Sequence, residues 1–242
     1  MDEHLRAALM EMEKKKDING INVMLSHQGW EVRLAAADAL ARLAVYKVGD
    51  ASSVPLLTKC LYDSSEHVRA TSAYALGRLA VIGIGSGTSM LPLRKCLVDR
   101  NPLVRGNAIV ALAALAIRLK IGDMTEVIET LGRWLRNSEG SMKADACMRI
   151  GWIACELRFG DASTIPLLNQ CLQEEDENLA EMAAFALHSL AMLGVAERSS
   201  IQLLEEHIKK HPNSVHGRNA LEAVKSVVER EKGKNRKRIT FF

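Results

Sequence analysis

A period of 36 to 38 residues runs through most of this 242-residue sequence and restricts the possible fold more than any other feature. One row of leucines recurs with spacings of 36, 38, 37 and 36 residues: Leu57, Leu93, Leu131, Leu168 and Leu204. A second row recurs with spacings of 36, 36, 38, 37 and 37 residues: Arg33, Arg69, Arg105, Lys143, Ala180 and Gly217. Two rows with one period predict a stack of similar units, because such periods are typical of solenoid proteins.

An alanine-rich run with apolar residues at helical spacing follows the members of the second row, as in Val32 to Ala44 and Val68 to Ala80. Alanine lets neighbouring helices approach closely, while the leucines supply a buried ridge. We call these runs the B helices and the shorter segments that carry the leucine row the A helices. The sequence therefore predicts an all-α solenoid of about six antiparallel A–B helix pairs.

Glycine follows each of five predicted B helices, where a left-handed C-cap would favour it. These glycines are Gly49, Gly85, Gly122, Gly160 and Gly194. Three of them precede an aspartate that could cap the next A helix. The turns therefore agree with the predicted helix pairs.

The spacing from Asp63 to Arg69, repeated from Asp99 to Arg105, resembles the inter-helix ladder of the HEAT-repeat superfamily. The Val-Arg pair that opens the B helices and the stretch Leu-Gly-Arg-Leu-Ala at 76–80 are similar to the phycobilisome-lyase-type HEAT-like repeats. This resemblance covers about residues 18–230. It implies a right-handed α-α superhelix in which the arginines bond the turn of a neighbouring repeat.

Charge is concentrated in the C-terminal residues 232–242, which hold five basic residues and no acidic one. These basic residues are Lys232, Lys234, Arg236, Lys237 and Arg238. Because the formal net charge is +3, the remainder carries −2 and is not a basic, nucleic-acid-binding body. We expect a solenoid domain at 1–231, with an N-terminal capping helix, and a disordered basic tail at 232–242.

Location follows from what the residues lack. The N-terminus has no basic-then-apolar order of a secretory signal, and no uncharged apolar stretch approaches the roughly 20 residues of a membrane span. Five cysteines without a Cys-x-x-Cys pair predict reduced thiols rather than disulfides or a zinc site. We therefore expect a cytoplasmic protein with no membrane partner.

Catalytic signatures are missing from the sequence. The glycine-rich stretch at 83–88 has no lysine before its serine or threonine, so it is not a phosphate loop. None of the seven histidines is followed by glutamate, which excludes the paired His-Glu iron ligands of HEAT-like deoxyhypusine hydroxylases. Cys60, Cys96 and Cys171 share one repeat position and are interpreted as packing residues. We expect no catalytic residue, no metal site and no cofactor.

Variable positions of the B helices are the candidate binding residues, because inner helices of solenoids line a concave binding surface. Counted from the Arg33 row, the fifth following position holds Asp38, Tyr74, Val110, Met148 and Phe185. The ninth following position holds Arg42, Arg78, Ala114, Trp152 and Ser189. The predicted partner-binding residues are Asp38, Arg42, Tyr74, Arg78, Met148, Trp152 and Phe185. An alternative interpretation is that Trp152 and Phe185 fill a wider part of the core.

The sequence thus predicts a non-catalytic scaffold or adaptor that binds another protein on its concave B-helix surface. Two alternatives remain open. The first is a lyase-like accessory protein for a tetrapyrrole chromophore, which the resemblance to phycobilisome lyases suggests. The second is nucleic-acid binding through the basic tail, where five positive charges could contact phosphates.

Overall fold

The computed structural model describes residues 3–239, with side chains from residue 3 to residue 232. Within this part of the chain the structure has thirteen α-helices and no strand, so the predicted all-α fold is confirmed. The first three pairs are α2 and α3, α4 and α5, and α6 and α7, with α1 before them. Their bounds are α1 Glu3–Lys15, α2 Ile18–Met24, α3 Trp30–Val45, α4 Ser53–Cys60, α5 Glu66–Val81, α6 Met90–Cys96 and α7 Pro102–Leu119.

The remaining helices continue the same alternation of short A and long B helices. Their bounds are α8 Met124–Asn137, α9 Gly140–Leu157, α10 Ile165–Cys171, α11 Glu177–Met192, α12 Ser199–Lys210 and α13 Val215–Ile239. Six A–B pairs therefore follow α1, which is the number predicted. The helices fall into two compact units, Met1–Val127 and Ile128–Phe242, which we describe separately.

B helices lie side by side within each unit, with α3 against α5 and α5 against α7 in the first, and α9 against α11 and α11 against α13 in the second. The predicted leucine row is buried throughout, and so are most alanines of the B helices. Asn107 of α7 also donates a hydrogen bond from Nδ2 to the Ala70 carbonyl of α5 at 2.9 Å. Burial of these apolar surfaces supplies most of the driving force for each unit.

One helix, α7, has the length and apolar composition to cross a bilayer. In the first unit, however, 61% of its residues are buried inside the protein. A core helix of a helical stack passes the same composition test, and α7 packs against α5 and α6.

Ladder arginines connect successive repeats in the first unit. Arg33 forms two hydrogen bonds to the Asp63 carboxylate, at 2.6 and 2.8 Å, and Arg69 does the same to Asp99 at 2.8 and 3.0 Å. Burial raises the pKa of Asp99, but hydrogen bonds from Arg69 and from the Asn101 amide outweigh it and lower the pKa below its ordinary value. These bidentate pairs confirm the structural role that the resemblance implies for the arginines.

Other residue types replace the arginine–aspartate pair of the ladder in later repeats. Arg105 donates through Nη1 to the carbonyls of its own turn, while its buried Nε has no hydrogen-bond partner among the described side chains. In the second unit Lys143 pairs with Glu174 at 2.5 Å. Where the ladder position is Ala180, Glu181 instead contacts the buried ring of His207 at 3.1 Å. A polar link between repeats therefore persists after the arginine is lost.

The glycine C-caps are only partly as predicted. The residues with positive φ at the ends of the B helices are Lys47, Gly83, Lys120, Arg158 and Gly194. The prediction is confirmed at Gly194, and Gly122 also has a positive φ, of 89°. It was wrong for Gly49, Gly85 and Gly160, because the left-handed residue lies two positions earlier in those repeats.

Close approach explains glycine at these three positions. A Cβ on Gly49 would lie 2.6 Å from a methyl carbon of Leu79, and one on Gly85 would lie 2.6 Å from a methyl carbon of Leu119. The corresponding distance at Gly160 is 3.0 Å, to Leu190. Each glycine thus makes room for a leucine of the following B helix.

Candidate functional site

One side of each B helix carries the predicted binding positions. The fifth, ninth and twelfth positions after the ladder residue fall within an arc of about 60° at 100° per residue. We call this side the B face. Neighbouring positions are the buried alanines and leucines of the core, so the B face is the variable side of the helix.

On α3 the B face holds Asp38 and Arg42, and the structure brings them together. Arg42 donates to the Asp38 carboxylate one turn earlier and makes two hydrogen bonds of 2.8 Å to Glu13 of α1. Hydrogen bonding to Arg42 lowers the pKa of Glu13, although burial opposes the shift. The N-terminal helix therefore occupies much of the hydrogen-bonding capacity of Arg42.

On α5 the B face is more open. Tyr74 is 37% exposed, and Arg78 one turn later is half-buried. The equivalent residues of α7, Val110 and Ala114, are buried. In the first unit, an accessible aromatic ring is therefore available on α5.

In the second unit the B face is apolar. Met148 and Trp152 are half-buried on α9, one turn apart, and Phe185 is half-buried on the adjacent α11. The Phe185 ring lies over Gly151, where a Cβ would be 2.7 Å from Cδ1 and closer still to Cε1. It also meets the His216 ring edge-on at 5.5 Å. Phe185 thus has a packing role as well as a partly accessible surface.

Sequence reasoning missed a third row on the B face. The twelfth position after the ladder residue is apolar in the first five repeats, where it is exposed or half-buried, and is Glu229 in the sixth. This row is Val45, Val81, Ile117, Cys155 and Met192. Met192 is 64% exposed and Val45 is 49% exposed. The signal was present in the sequence, because the row keeps one chemical type while lying on the variable side of the helix.

Cys155 differs from the other thiols because it is exposed, whereas the other four cysteines are buried. Its Sγ lies 3.3 Å from the Ser189 hydroxyl of α11. Burial raises the pKa of the Cys60 thiol and raises that of Cys96 to about 11. The packing interpretation of Cys60, Cys96 and Cys171 is confirmed by their burial. Cys155 is therefore the accessible thiol of the B face.

A serine, a histidine and a carboxylate come together at the last repeat without forming a nucleophilic site. The Glu181 carboxylate and the Ser214 hydroxyl both contact Nε2 of His207, each at 3.1 Å. A catalytic triad needs the acid and the nucleophile on opposite ring nitrogens. Ser214 also accepts a hydrogen bond from the Gly217 amide at 2.8 Å, as a cap of α13 does. This cluster joins α11, α12 and α13.

Metal-ligating residues do not gather in the described part of the chain. No group of three or more His, Cys, Asp or Glu side chains there could hold a metal ion. His207 and His211 come within 5.0 Å of each other, ring to ring, which the sequence did not predict. Carboxylates of α11 are their partners.

The basic tail adds little to the site that the structure can describe. Lys232 is exposed and lines a shallow cavity of about 380 Å³ with Glu205, Lys225 and Glu229. The side chains of Lys234, Arg236, Lys237 and Arg238 lie outside the described residues, as do residues 240–242. Phosphate contact and disorder of this tail stay predictions.

The paired helices, the ladder and the buried leucine row define an α-helical repeat solenoid. Residues 30–79 match the HEAT-like repeat family model, which covers α3, α4 and most of α5. The likeness to phycobilisome lyases stays a prediction. No curated protein matches the chain.

Solved structures with this fold support the same class. The archaeal HEAT-like repeats protein from Thermococcus onnurineus NA1 is similar over 94% of each chain, with 14% identity and a TM-score of 0.57. Computationally designed armadillo repeat proteins for modular peptide recognition are similar over 86% of this chain and 98% of theirs, with 20% identity and a TM-score of 0.52. A designed armadillo repeat protein in complex with the peptide (KR)4 is similar over 85% and 98%, with 20% identity and a TM-score of 0.52. Identities this low show the fold alone.

Proposed function

We propose that this chain is a non-catalytic scaffold or adaptor that binds a protein partner on its B face. The observation that carries the proposal is the apolar twelfth-position row, which stays accessible where the repeat could place polar residues. A soluble protein gains nothing for folding from exposed apolar side chains aligned along a stack, and such surfaces commonly mark interfaces. The repeat-solenoid fold is typically that of a non-enzymatic scaffold.

The types of residue on the B face support this function. Tyr74 on α5 and Trp152 on α9 offer large amphipathic rings, and aromatic residues are enriched among those that contribute most to binding. Met148 and Met192 can adapt to the shape of a partner, because methionine side chains are flexible. We propose that each unit contributes such a surface and that a partner helix or extended segment binds across it.

Similar solved structures agree with this mode of binding. One is of armadillo repeat proteins designed for modular peptide recognition, and another is of a complex with the peptide (KR)4. For the present chain they support a peptide-like partner, without indicating its sequence. Because the thiols are expected to be reduced, we propose a cytoplasmic location.

Affinity capture from lysate with the Tyr74→Ala, Trp152→Ala double variant tests the proposal. We expect the variant to lose a protein that the wild type retains, while its helical melting transition is largely intact. Leu91→Ala is the matched control, since Leu91 is 60% exposed on the A helix α6. It should retain the partner.

Cys155 gives an independent measurement of the same surface. The purified partner should slow maleimide alkylation of Cys155, because the thiol lies on the B face. A partner that binds the double variant as tightly as the wild type and leaves Cys155 fully reactive would place the interface elsewhere. Unfolding of the double variant would instead assign Tyr74 and Trp152 to the core.

A further inference from the structure

Exposed apolar residues of the first unit also line the turns that join its A and B helices. Tyr62 and Val98 occupy one repeat position, 36 residues apart, and are 57% and 85% exposed. Trp30 and Leu103 lie at the starts of α3 and α7 and are also exposed. Together with the exposed Lys59 and Lys95, these four residues form a surface that we call the turn face. It is separate from the B face in the helix positions that build it.

The repeat itself does not require apolar residues on the turn face. In the second unit, the position of Tyr62 and Val98 carries polar or charged residues instead. These residues are Arg136, Gln173 and Lys209. The exposed apolar side chains at this position are therefore a property of the first unit and not of the helix pair.

A cavity of about 290 Å³ opens on the turn face between α2 and α4. Leu25, Leu56 and Cys60 supply its apolar lining, and Lys59 and Tyr62 stand among the exposed residues around it. Such a cavity can accept an apolar side chain while leaving the neighbouring lysine free to contact a charge. Pockets that combine apolar walls with a few polar groups are the usual form of a binding site.

Charge on the turn face favours an acidic occupant. Lys59 and Lys95 have no carboxylate partner among the described side chains, and the Lys95 ammonium lies 5.5 Å from the centre of the Tyr62 ring. The ladder carboxylates Asp63 and Asp99 are each already paired with an arginine.

Two further carboxylates lie at the starts of the B helices. Glu31 is close enough to Arg33, and Glu66 to Arg69, to raise the pKa of each arginine, as minor contributors beside the ladder carboxylates. Both glutamates thus interact electrostatically with arginines of the ladder. Lys59 and Lys95 remain as positive charges of this face without a carboxylate partner among the described side chains.

We propose that the turn face binds an acidic peptide segment of a partner protein, with an aromatic or long aliphatic side chain in the cavity between α2 and α4. Carboxylates that flank this side chain pair with Lys59 and Lys95, and Tyr62 lies between the two lysines as an apolar contact. This interaction is additional to binding on the B face and does not depend on it.

Fluorescence anisotropy with two synthetic probes tests the proposal on the full chain. The first is a labelled peptide of alternating glutamate and glycine with one central phenylalanine, and the second has lysine in place of every glutamate. We expect the acidic probe to bind with a dissociation constant below about 1 mM and the basic probe to bind at least tenfold more weakly. Lys59→Glu and Tyr62→Ala should each weaken the acidic probe at least fivefold.

Matched controls distinguish the turn face from the B face and from a general effect of charge. Arg133→Glu reverses a charge at the repeat position of Lys59 and Lys95, but in the second unit, and should leave affinity unchanged. Tyr74→Ala removes a tyrosine of the B face and should also have no effect. Equal binding of both probes, absence of binding, or loss of affinity in a control variant instead of in Lys59→Glu would overturn the proposal. A single-stranded oligonucleotide that displaces the acidic probe would also overturn the proposal under two conditions. The oligonucleotide must bind the wild type more tightly than the peptide does, and it must bind the Lys59→Glu variant more weakly than the wild type.

Discussion

Substitution of Gly151 tests how firmly Phe185 is held on the B face of the second unit. Gly151 lies inside α9, where alanine would stabilise the helix by about 1 kcal/mol relative to glycine. A Cβ at this position would meet Cδ1 of Phe185 at 2.7 Å, whereas carbon atoms in favourable contact are about 3.5–4.0 Å apart. The ring must therefore move away from Gly151 by about 1 Å.

Overpacking of this kind costs about 1–3 kcal/mol, which exceeds the gain in helix propensity. We expect Gly151→Ala to lower the free energy of unfolding by about 1 kcal/mol. In a Phe185→Ala background the obstructing ring is gone, so the same substitution should instead raise it by up to about 1 kcal/mol. The two effects differ by about 2 kcal/mol, which a double-mutant cycle resolves.

Urea titrations of the wild type, both single variants and the double variant measure this cycle. Tryptophan fluorescence is a suitable signal, because two of the three tryptophans, Trp134 and Trp152, lie in the second unit. Circular dichroism should give the same order of stabilities. If Gly151→Ala stabilises the protein while Phe185 is present, the ring is not held over Gly151, and our assignment of a packing role to Phe185 is refuted.

Further predictions concern the ladder and the thiols. The pKa of Asp99 is lowered from 3.8, so its stabilising contribution is present above about pH 4 and is lost as the pH falls through the lower folded-state value. Asp99→Asn should therefore reduce stability at pH 7 and flatten its decline below about pH 4 in urea titrations, and an unchanged pH profile would contradict this. Arg69→Met should cost about 1–3 kcal/mol in the same assay, whereas Arg100→Met, at an exposed position, should stay within about 0.5 kcal/mol. Cys155 should react rapidly with maleimide in the native protein, whereas all five thiols should react after unfolding. If rapid labelling persists in Cys155→Ser, a buried thiol such as Cys96 is accessible.

The helix pairs were predictable because two signals coincide in five of the six repeats. The leucine row marks the buried side of each A helix, and the ladder residue marks the start of each B helix. Bidentate pairing of Arg33 with Asp63 was implied by resemblance alone, because spacing within one repeat does not show which repeat supplies the acceptor. The pair forms because the fold brings together two residues that are 30 positions apart in the sequence.

Local backbone geometry was less predictable. Lysine at position 47 and arginine at position 158 adopt positive φ, which sequence rules assign to glycine. Glycine at 49 and 160 serves a different need, the approach of a leucine from the next helix. A tertiary contact thus fixes where glycine is needed, and sequence position relative to the helix end does not reveal it.

The candidate site was predicted in outline only. Tyr74 and Trp152 were recognised as variable aromatic residues, and the structure leaves both partly accessible. Pairing of Arg42 with Glu13 was not foreseen, since α1 shows no repeat register that would place it against α3. The turn face was missed because Tyr62 and Val98 differ in chemical type and form a row only when their exposure is known.

The ladder has a consequence for how such a chain can change length. Arg33 and Arg69 each reach the aspartate 30 residues ahead and the carbonyl six residues behind, so these contacts join only adjacent repeats. Excision of residues 64–99, which is one full period, would place Arg105 six residues after Asp63 and leave the bond from Arg33 to Asp63 in place. Whole periods can therefore be gained or lost while the ladder bonds of the remaining repeats are kept, whereas an insertion of a few residues between a ladder arginine and its aspartate would change the spacing on which their bond depends.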